Sequence, residues 1–349
     1  MKRLAAAVPA ALLAAGALAQ PAQPPPASSA PVEAALNAAP HIGITNGLIA
    51  ARILPPHPDK GFYRGTRFDQ AGVIASMKFR GREFYGPWFE RTAPEVLDYT
   101  YIPEGIVAGP DSAISGPVEE FAPLGFAPKP GLFVKIGVGV LRQPDEKPYD
   151  HYRHYQIVDG GARTTRVARD SVTFTQTLSG AGYGYVYRKT LRLVPGRPQM
   201  VIAHVLRNTG SEPIVTTVYD HNFLRLVPGN GDIRVTFPFP VTAGTAAANP
   251  PAADLIRIEG NSVAYLRPMT DRERISFPVT GYGTDARDYA IQVTDTKSGA
   301  GVAIRGDRPL VKVNIFSIDR TQAVEPYIAI NVPPGAEQRW SYTYTYSAP

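Results

Sequence analysis

The chain has no cysteine among its 349 residues. That excludes disulfides, thiolate metal sites and cysteine nucleophiles. No Gly-rich phosphate loop opens a helix, which argues against nucleotide binding. No Gly-x-Ser-x-Gly elbow is present to support a serine hydrolase. His-Glu-x-x-His is absent too, as is a His-x-His with a partner carboxylate, and His151-x-x-His154 alone is too little, so neither a metal nor a cofactor is expected. Past the first twenty residues no apolar run is long enough to cross a membrane. No stretch there keeps a 3.6-residue apolar period, so helices are expected to be few and short. Lys and Arg number 36 against 30 Asp and Glu. The basic residues are scattered, which argues against nucleic acid as a partner and leaves a mild attraction for anionic sugars or surfaces.

The N-terminus reads as an export signal. Lys2 and Arg3 precede an Ala/Leu-rich run over residues 4–18, and Ala17-Leu18-Ala19 is an A-x-A cleavage site. Residues 1–19 are thus a signal peptide, and a periplasmic or secreted location follows, with no membrane insertion after cleavage. Residues 20–41, with Pro21 to Pro31 at their heart, read as a Pro/Ala-rich disordered tether. Residues 42–349 are the folded domain. Without disulfides it must rest on a large core, which a hydrophobic content of 44% permits.

That domain reads as all-β. The chain's 35 Pro and 32 Gly, most of them in this domain, punctuate short runs rich in Val, Ile, Thr and Tyr. Strands are expected over 44–54, 72–80, 132–141, 171–178, 183–194, 199–208, 213–221, 288–296, 311–318, 323–332 and 338–347. At the C-terminus Trp340, Tyr342, Tyr344 and Tyr346 share one strand face. So many strands imply large antiparallel sheets packed face to face. Residues 103–131 and 142–153 read as long loops, which commonly line sites. The second carries Tyr149, His151, Tyr152, Arg153 and His154.

Two strands carry candidate chemistry. Strand alternation places Tyr219, His221 and Phe223 on one face, with Val218, Asp220 and Asn222 on the other. Over 323–332 it sends Val324, Ile328 and Ile330 to the core, and Glu325 and Tyr327 to the opposite face. A carboxylate beside an aromatic ring suits a sugar, whose apolar face stacks and whose hydroxyls donate. Pro326 lacks an N–H, so an edge strand or bulge is expected there. One imidazole and one carboxylate suffice for acid–base chemistry without a metal.

The stretches Thr217-Val218-Tyr219-Asp220-His221-Asn222-Phe223-Leu224, Val324-Glu325-Pro326-Tyr327, Pro334-Gly335 and Trp340-Ser341-Tyr342-Thr343-Tyr344 resemble, in order and spacing, the galactose mutarotase-like (aldose 1-epimerase) superfamily. The resemblance implies a large antiparallel β-supersandwich that interconverts sugar anomers. It implies Glu325 as the base taking the O1 proton and His221 as the acid protonating the ring O5. About a sugar ring's width is expected between the two side chains. Expected substrate ligands are Arg67, in Arg64-Gly65-Thr66-Arg67-Phe68-Asp69, together with His151, His154, Asn222 and Tyr327. The partner implied is a monosaccharide or oligosaccharide. A non-catalytic carbohydrate-binding module, or an accessory protein of polysaccharide metabolism, on the same fold is the alternative. A polysaccharide lyase would add a helical toroid, and nothing in the sequence reads as one.

Overall fold

The strand runs assemble into two large antiparallel sheets. The structure, a computed structural model, describes residues 26–243, 254–270 and 272–349. The expected signal peptide, and residues 20–25 of the expected tether, lie outside the described residues. The larger sheet has ten strands, with Ala162–Val167 at one edge and Ile256–Glu259 at the other. Its centre pairs Gln199–Asn208 with the closing strand Glu337–Ser347. Trp340, Tyr342, Tyr344 and Tyr346 all turn inward there and are buried.

The smaller sheet positions the candidate site, and its six strands are numbered here in chain order. They are β1 (Gly116–Phe121), β2 (Ile214–Phe223), β3 (Thr242–Ala243), β4 (Arg274–Thr280), β5 (Lys312–Ile318) and β6 (Thr321–Val332). Their order across the sheet is β3-β4-β5-β6-β2-β1. One face presents Val218, Val313, Ile315, Val324, Ile328 and Ile330 to the large sheet, and these join one core with the inward tyrosines. Each such aliphatic side chain taken from water contributes about 1.5–3 kcal/mol. The opposite face carries a second buried cluster that includes Phe68, Trp88, Tyr219, Phe223 and Phe316.

Several boundaries differ from expectation. The strand expected over 44–54 is a hairpin, Ile42–Thr45 and Ile49–Leu54. Asn46 Oδ1 accepts from the N–H of Leu48 and Ile49, and Gly47 sits at φ +89° in that turn. The strand expected over 132–141 likewise folds back on itself, as Gly131–Lys135 against Gly139–Gln143. Residues 103–131, read as a loop, contain β1 and the strand Gly105–Ala108. A proline and two adjacent glutamates mask β1 in a search for β-branched alternation.

The tether expected over 20–41 does not extend through its second half. Ala30–Pro31 pairs with Arg91–Thr92, and a short helix, α1 (Val32–Ala38), follows. Val32 and Leu36 are buried in the cluster that contains Trp88. The Leu36 carbonyl accepts from the Arg52 guanidinium at 2.8 Å. Val-Glu-Ala-Ala-Leu supplies two apolar side chains one helical turn apart, enough to dock a segment whose composition reads as linker. No helix among the described residues is long and apolar enough to cross a membrane.

Pro326 is the last departure. It lies in β6, between β5 and β2, and not at an edge. The β2–β6 ladder runs to Tyr219↔Tyr327, breaks, and resumes at Leu224↔Gln322 with its register unchanged. The break falls opposite the missing N–H, so the proline costs hydrogen bonds without a bulge.

Candidate functional site

The aromatic-rich face of the small sheet floors a cavity of about 400 Å³. β2 contributes Tyr219, His221 and Phe223, β6 contributes Glu325 and Tyr327, and β5 contributes Lys312, Asn314 and Phe316. The shared register explains the grouping. Asn314 pairs with Glu325 across β5 and β6, and the unbroken β2–β6 register sets Glu325 beside His221. Walls come from Arg67, Trp88 and Asp98, and from His151 and Tyr152 on the 142–153 loop.

His221 Nε2 and Glu325 Oε1 are 3.2 Å apart. The pair is in direct contact, where the sequence suggested a gap the width of a sugar ring. Both groups are buried, at 3% and 8% exposure, so little water competes for their protons. Asn314 Nδ2 donates to Glu325 Oε2 at 3.1 Å and fixes the carboxylate from behind. The imidazole stacks on Phe223 at 3.7 Å between centroids and meets the edges of Phe68 and Phe316. Its Nδ1 has no hydrogen-bond partner among the described residues, so nothing outside the pair fixes the tautomer. Burial first, then the nearby Arg67 cation, pushes the imidazole well below its ordinary value of 6.5. Burial also raises the Glu325 carboxyl above 4.5, against the pull of Arg67. The two proton affinities therefore shift toward each other.

Glu120 on β1 anchors the wall. It takes hydrogen bonds from Arg67 Nε at 2.8 Å, Tyr219 Oη at 2.5 Å and Lys135 Nζ at 3.3 Å, with His151 Nδ1 at 3.6 Å. Burial opposes its charge, but Lys135 and Arg67 outweigh burial and hold the carboxyl well below its usual range. Arg67 also donates to the Tyr219 hydroxyl at 3.0 Å and lies 4.4 Å over the Phe68 ring. Its position is thus fixed before any ligand arrives. Tyr327 stacks on Tyr219 at 4.4 Å, and Lys312 Nζ lies 4.6 Å over the Tyr327 ring.

Of the residues singled out in the sequence, His221, Glu325, Arg67, His151 and Tyr327 line the cavity. His154 and Asn222 do not. His154 Nδ1 contacts Asp111 Oδ2 at 3.0 Å, outside the cavity. The same carboxylate accepts a hydrogen bond from the Thr66 hydroxyl at 2.9 Å, so His154 ties the 142–153 loop to the segment carrying Arg67. Asn222 points to the opposite sheet face, as its odd–even position requires. Its Nδ2 donates to the Val324 and Asp220 carbonyls at 2.9 and 3.1 Å, beside the break at Pro326. The asparagine fills a ladder that the proline leaves open, and its amide has no donor to spare for a sugar.

Residues that the sequence did not mark include Asp98, Tyr99, Arg274, Lys312 and Asn314. The signal for two of them was alternation in Lys312-Val313-Asn314-Ile315-Phe316, which sets Lys312, Asn314 and Phe316 on the face opposite the core. Asp98 and Tyr99 come from an irregular stretch with no such period. Among the described residues no group of three or more His, Asp or Glu is placed to hold a metal ion.

Solved structures share this arrangement of sheets. A galactose mutarotase-like protein from Lactobacillus casei superposes with a TM-score of 0.52 at 14% identity, covering 88% of this chain and 100% of that one. The fold is galactose mutarotase-like. An aldose epimerase homologue from C. elegans matches at TM-score 0.51 and 14% identity, over 89% of this chain and 99% of that one. A protein from Synechocystis reaches 0.53 at 9% identity, over 89% and 96%. At these identities the likeness is one of fold. No protein-family model matches the chain, and a comparison with curated proteins finds no match.

Proposed function

We propose that the protein interconverts the anomers of a sugar by acid–base ring opening, with His221 and Glu325 as the proton-transfer pair. The observation that carries this reading is the 3.2 Å contact between the two groups at the floor of the cavity. O1 and the ring O5 are both bonded to C1, so one anomeric centre presents both to a pair of touching side chains. As the sugar binds, the one proton that the pair shares is placed on His221; the ionised Glu325 then takes the O1 proton while His221 delivers its own to O5. The C1–O5 bond breaks as the C1 carbonyl forms. Rotation about C1–C2 and closure on the other carbonyl face then give the second anomer, with the proton movements reversed. An enzyme that runs both directions needs groups of similar proton affinity, and the opposed shifts of His221 and Glu325 supply that tendency.

Arg67, His151 and Tyr327 are assigned here to hold hydroxyls and the sugar face, with Asn314 positioning Glu325. Residues 1–19 are read as an export signal, which puts the activity in the periplasm or outside the cell. Polarimetry of freshly dissolved single anomers across a panel of sugars tests the reading. An equilibration rate above that of buffer, abolished by heat denaturation, is expected for at least one sugar. The alternative, a non-catalytic carbohydrate-binding protein on the same fold, predicts saturable binding with rates no faster than buffer.

A further inference from the structure

We infer that the site takes a sugar bearing an anionic substituent, a carboxylate or a phosphate. The inference rests on the anomer-exchange reading for the placement of C1, and on two further cations for the rest of the ligand. Arg274 and Lys312 both face the cavity. Neither has a carboxylate within 4.0 Å among the described residues, where Arg67 is already held by Glu120 at 2.8 Å. Asp98 is the acidic group facing Arg274; it accepts from Ser112 Oγ at 2.8 Å and attracts the Arg274 cation from beyond ion-pair distance.

Arg274 is half-buried, with its guanidinium 5.2 Å over the Phe316 ring. A planar fork held on an aromatic face is organised for a bidentate oxyanion. Burial opposes its charge, but Tyr99, Tyr152 and Asp98 outweigh burial and hold the guanidinium as a cation facing the cavity. Lys312 is exposed and lies in the row of Tyr327, one sheet row from the pair Asn314↔Glu325. Two residues along a strand span about 7 Å. That separation suits a pyranose with C1 at the acid–base pair and a charged group at its far end. Arg274 stands beyond the pair on the other side, in the row of Ile318. One cation on each side allows the anion to be met in either ring orientation.

The test compares galactose, galacturonic acid and galactose 6-phosphate, and the matching glucose series, by exchange NMR between anomers. The expected result is a kcat/KM at least about tenfold higher for one anionic sugar than for its neutral parent, as a charge-assisted contact provides. This preference should shrink with added salt. Arg274→Gln or Lys312→Gln should reduce the anionic-to-neutral ratio by about tenfold, the size of one such contact. The carboxylate and phosphate arms identify which anion is taken. Equal or better turnover of the neutral sugars would overturn the inference, as would variants that leave the ratio unchanged. Should no sugar be turned over, calorimetric binding of the same six compounds separates the two ideas. Preferential binding of an anionic sugar would then retain the substrate class while the catalytic reading fails, and no preference would reject the class as well.

Discussion

The ionisation of His221 decides how the pair can work. An imidazole stacked on Phe223 and edged by Phe68 and Phe316 has little to stabilise its cation. Its pKa lies well below 6.5, so the ring is neutral in the empty site at neutral pH. The sign follows directly: as pH falls through 6.5 an exposed histidine gains its proton and His221 does not. NMR titration of the imidazole is expected to show a midpoint below 6.5, and a midpoint at or above it would contradict the account. The same logic makes His221 a source of acid instability, because the unfolded chain takes up a proton near 6.5 that the folded site refuses. His221 and Glu325 themselves were legible in the sequence, because strand phase is set by a two-residue period and each lies in a well-marked strand. Arg274 and Glu120 were not, since their importance depends on neighbours far away in the chain.

At the scale of the element, β6 shows how a site and a defect coexist. Pro326 sits between Glu325 and Tyr327, and its missing N–H opens the ladder to β2. Asn222 closes that opening with two side-chain hydrogen bonds to backbone carbonyls. Its hydroxyl partner, Tyr344, donates to Asn222 Oδ1 at 2.8 Å from the large sheet. Asn222→Ala should therefore lower stability by about 1–3 kcal/mol, the cost of leaving buried carbonyls unpaired. A denaturant melt checks this, and a variant of unchanged stability that instead raises KM would restore Asn222 as a sugar ligand. The proline was visible in the sequence, but its consequence was read as an edge strand. Only the sheet order, with β6 inside it, converts the missing donor into a role for Asn222. The helix α1 escaped for a related reason: seven residues after a Pro-rich stretch carry too little periodicity to stand out, and the groove that receives Leu36 is built elsewhere.

For the whole molecule, stability depends on a polar cluster between the sheets as well as on apolar packing. Glu119, next in chain to Glu120, points the other way and contacts Lys189 and, at 2.8 Å, His204 Nε2. Lys189 lies 3.5 Å from Asp69 Oδ2, and Tyr187 donates to the same oxygen at 3.1 Å. Burial raises the Glu119 pKa, but Lys189 and His204 outweigh burial and bring it down to about 2. A depressed carboxyl stabilises the fold above its unfolded value of 4.5 and loses that contribution as pH falls through about 2. Glu119→Gln should cost about 3–5 kcal/mol at neutral pH, since buried Lys189 loses its nearer carboxylate and keeps only Asp69 at 3.5 Å. Its denaturant midpoint should also fall less than that of the natural protein between pH 5 and pH 2. Equal acid sensitivity of the two proteins would contradict this assignment. The layered fold was legible from the density of strand runs and the inward aromatic face of the closing strand. The charged centre was hidden, because a buried lysine, histidine and glutamate in strands read like residues of a solvated face.

The central claim is that one sugar is turned over by His221 and Glu325 acting together. Exchange NMR between the two anomers, comparing the natural protein with Glu325→Gln at matched folding stability, tests it most directly. The account predicts enzyme-dependent exchange in the natural protein and a loss of at least about a hundredfold in the variant, the lower end for removing a general base. Exchange that survives intact in Glu325→Gln would contradict it.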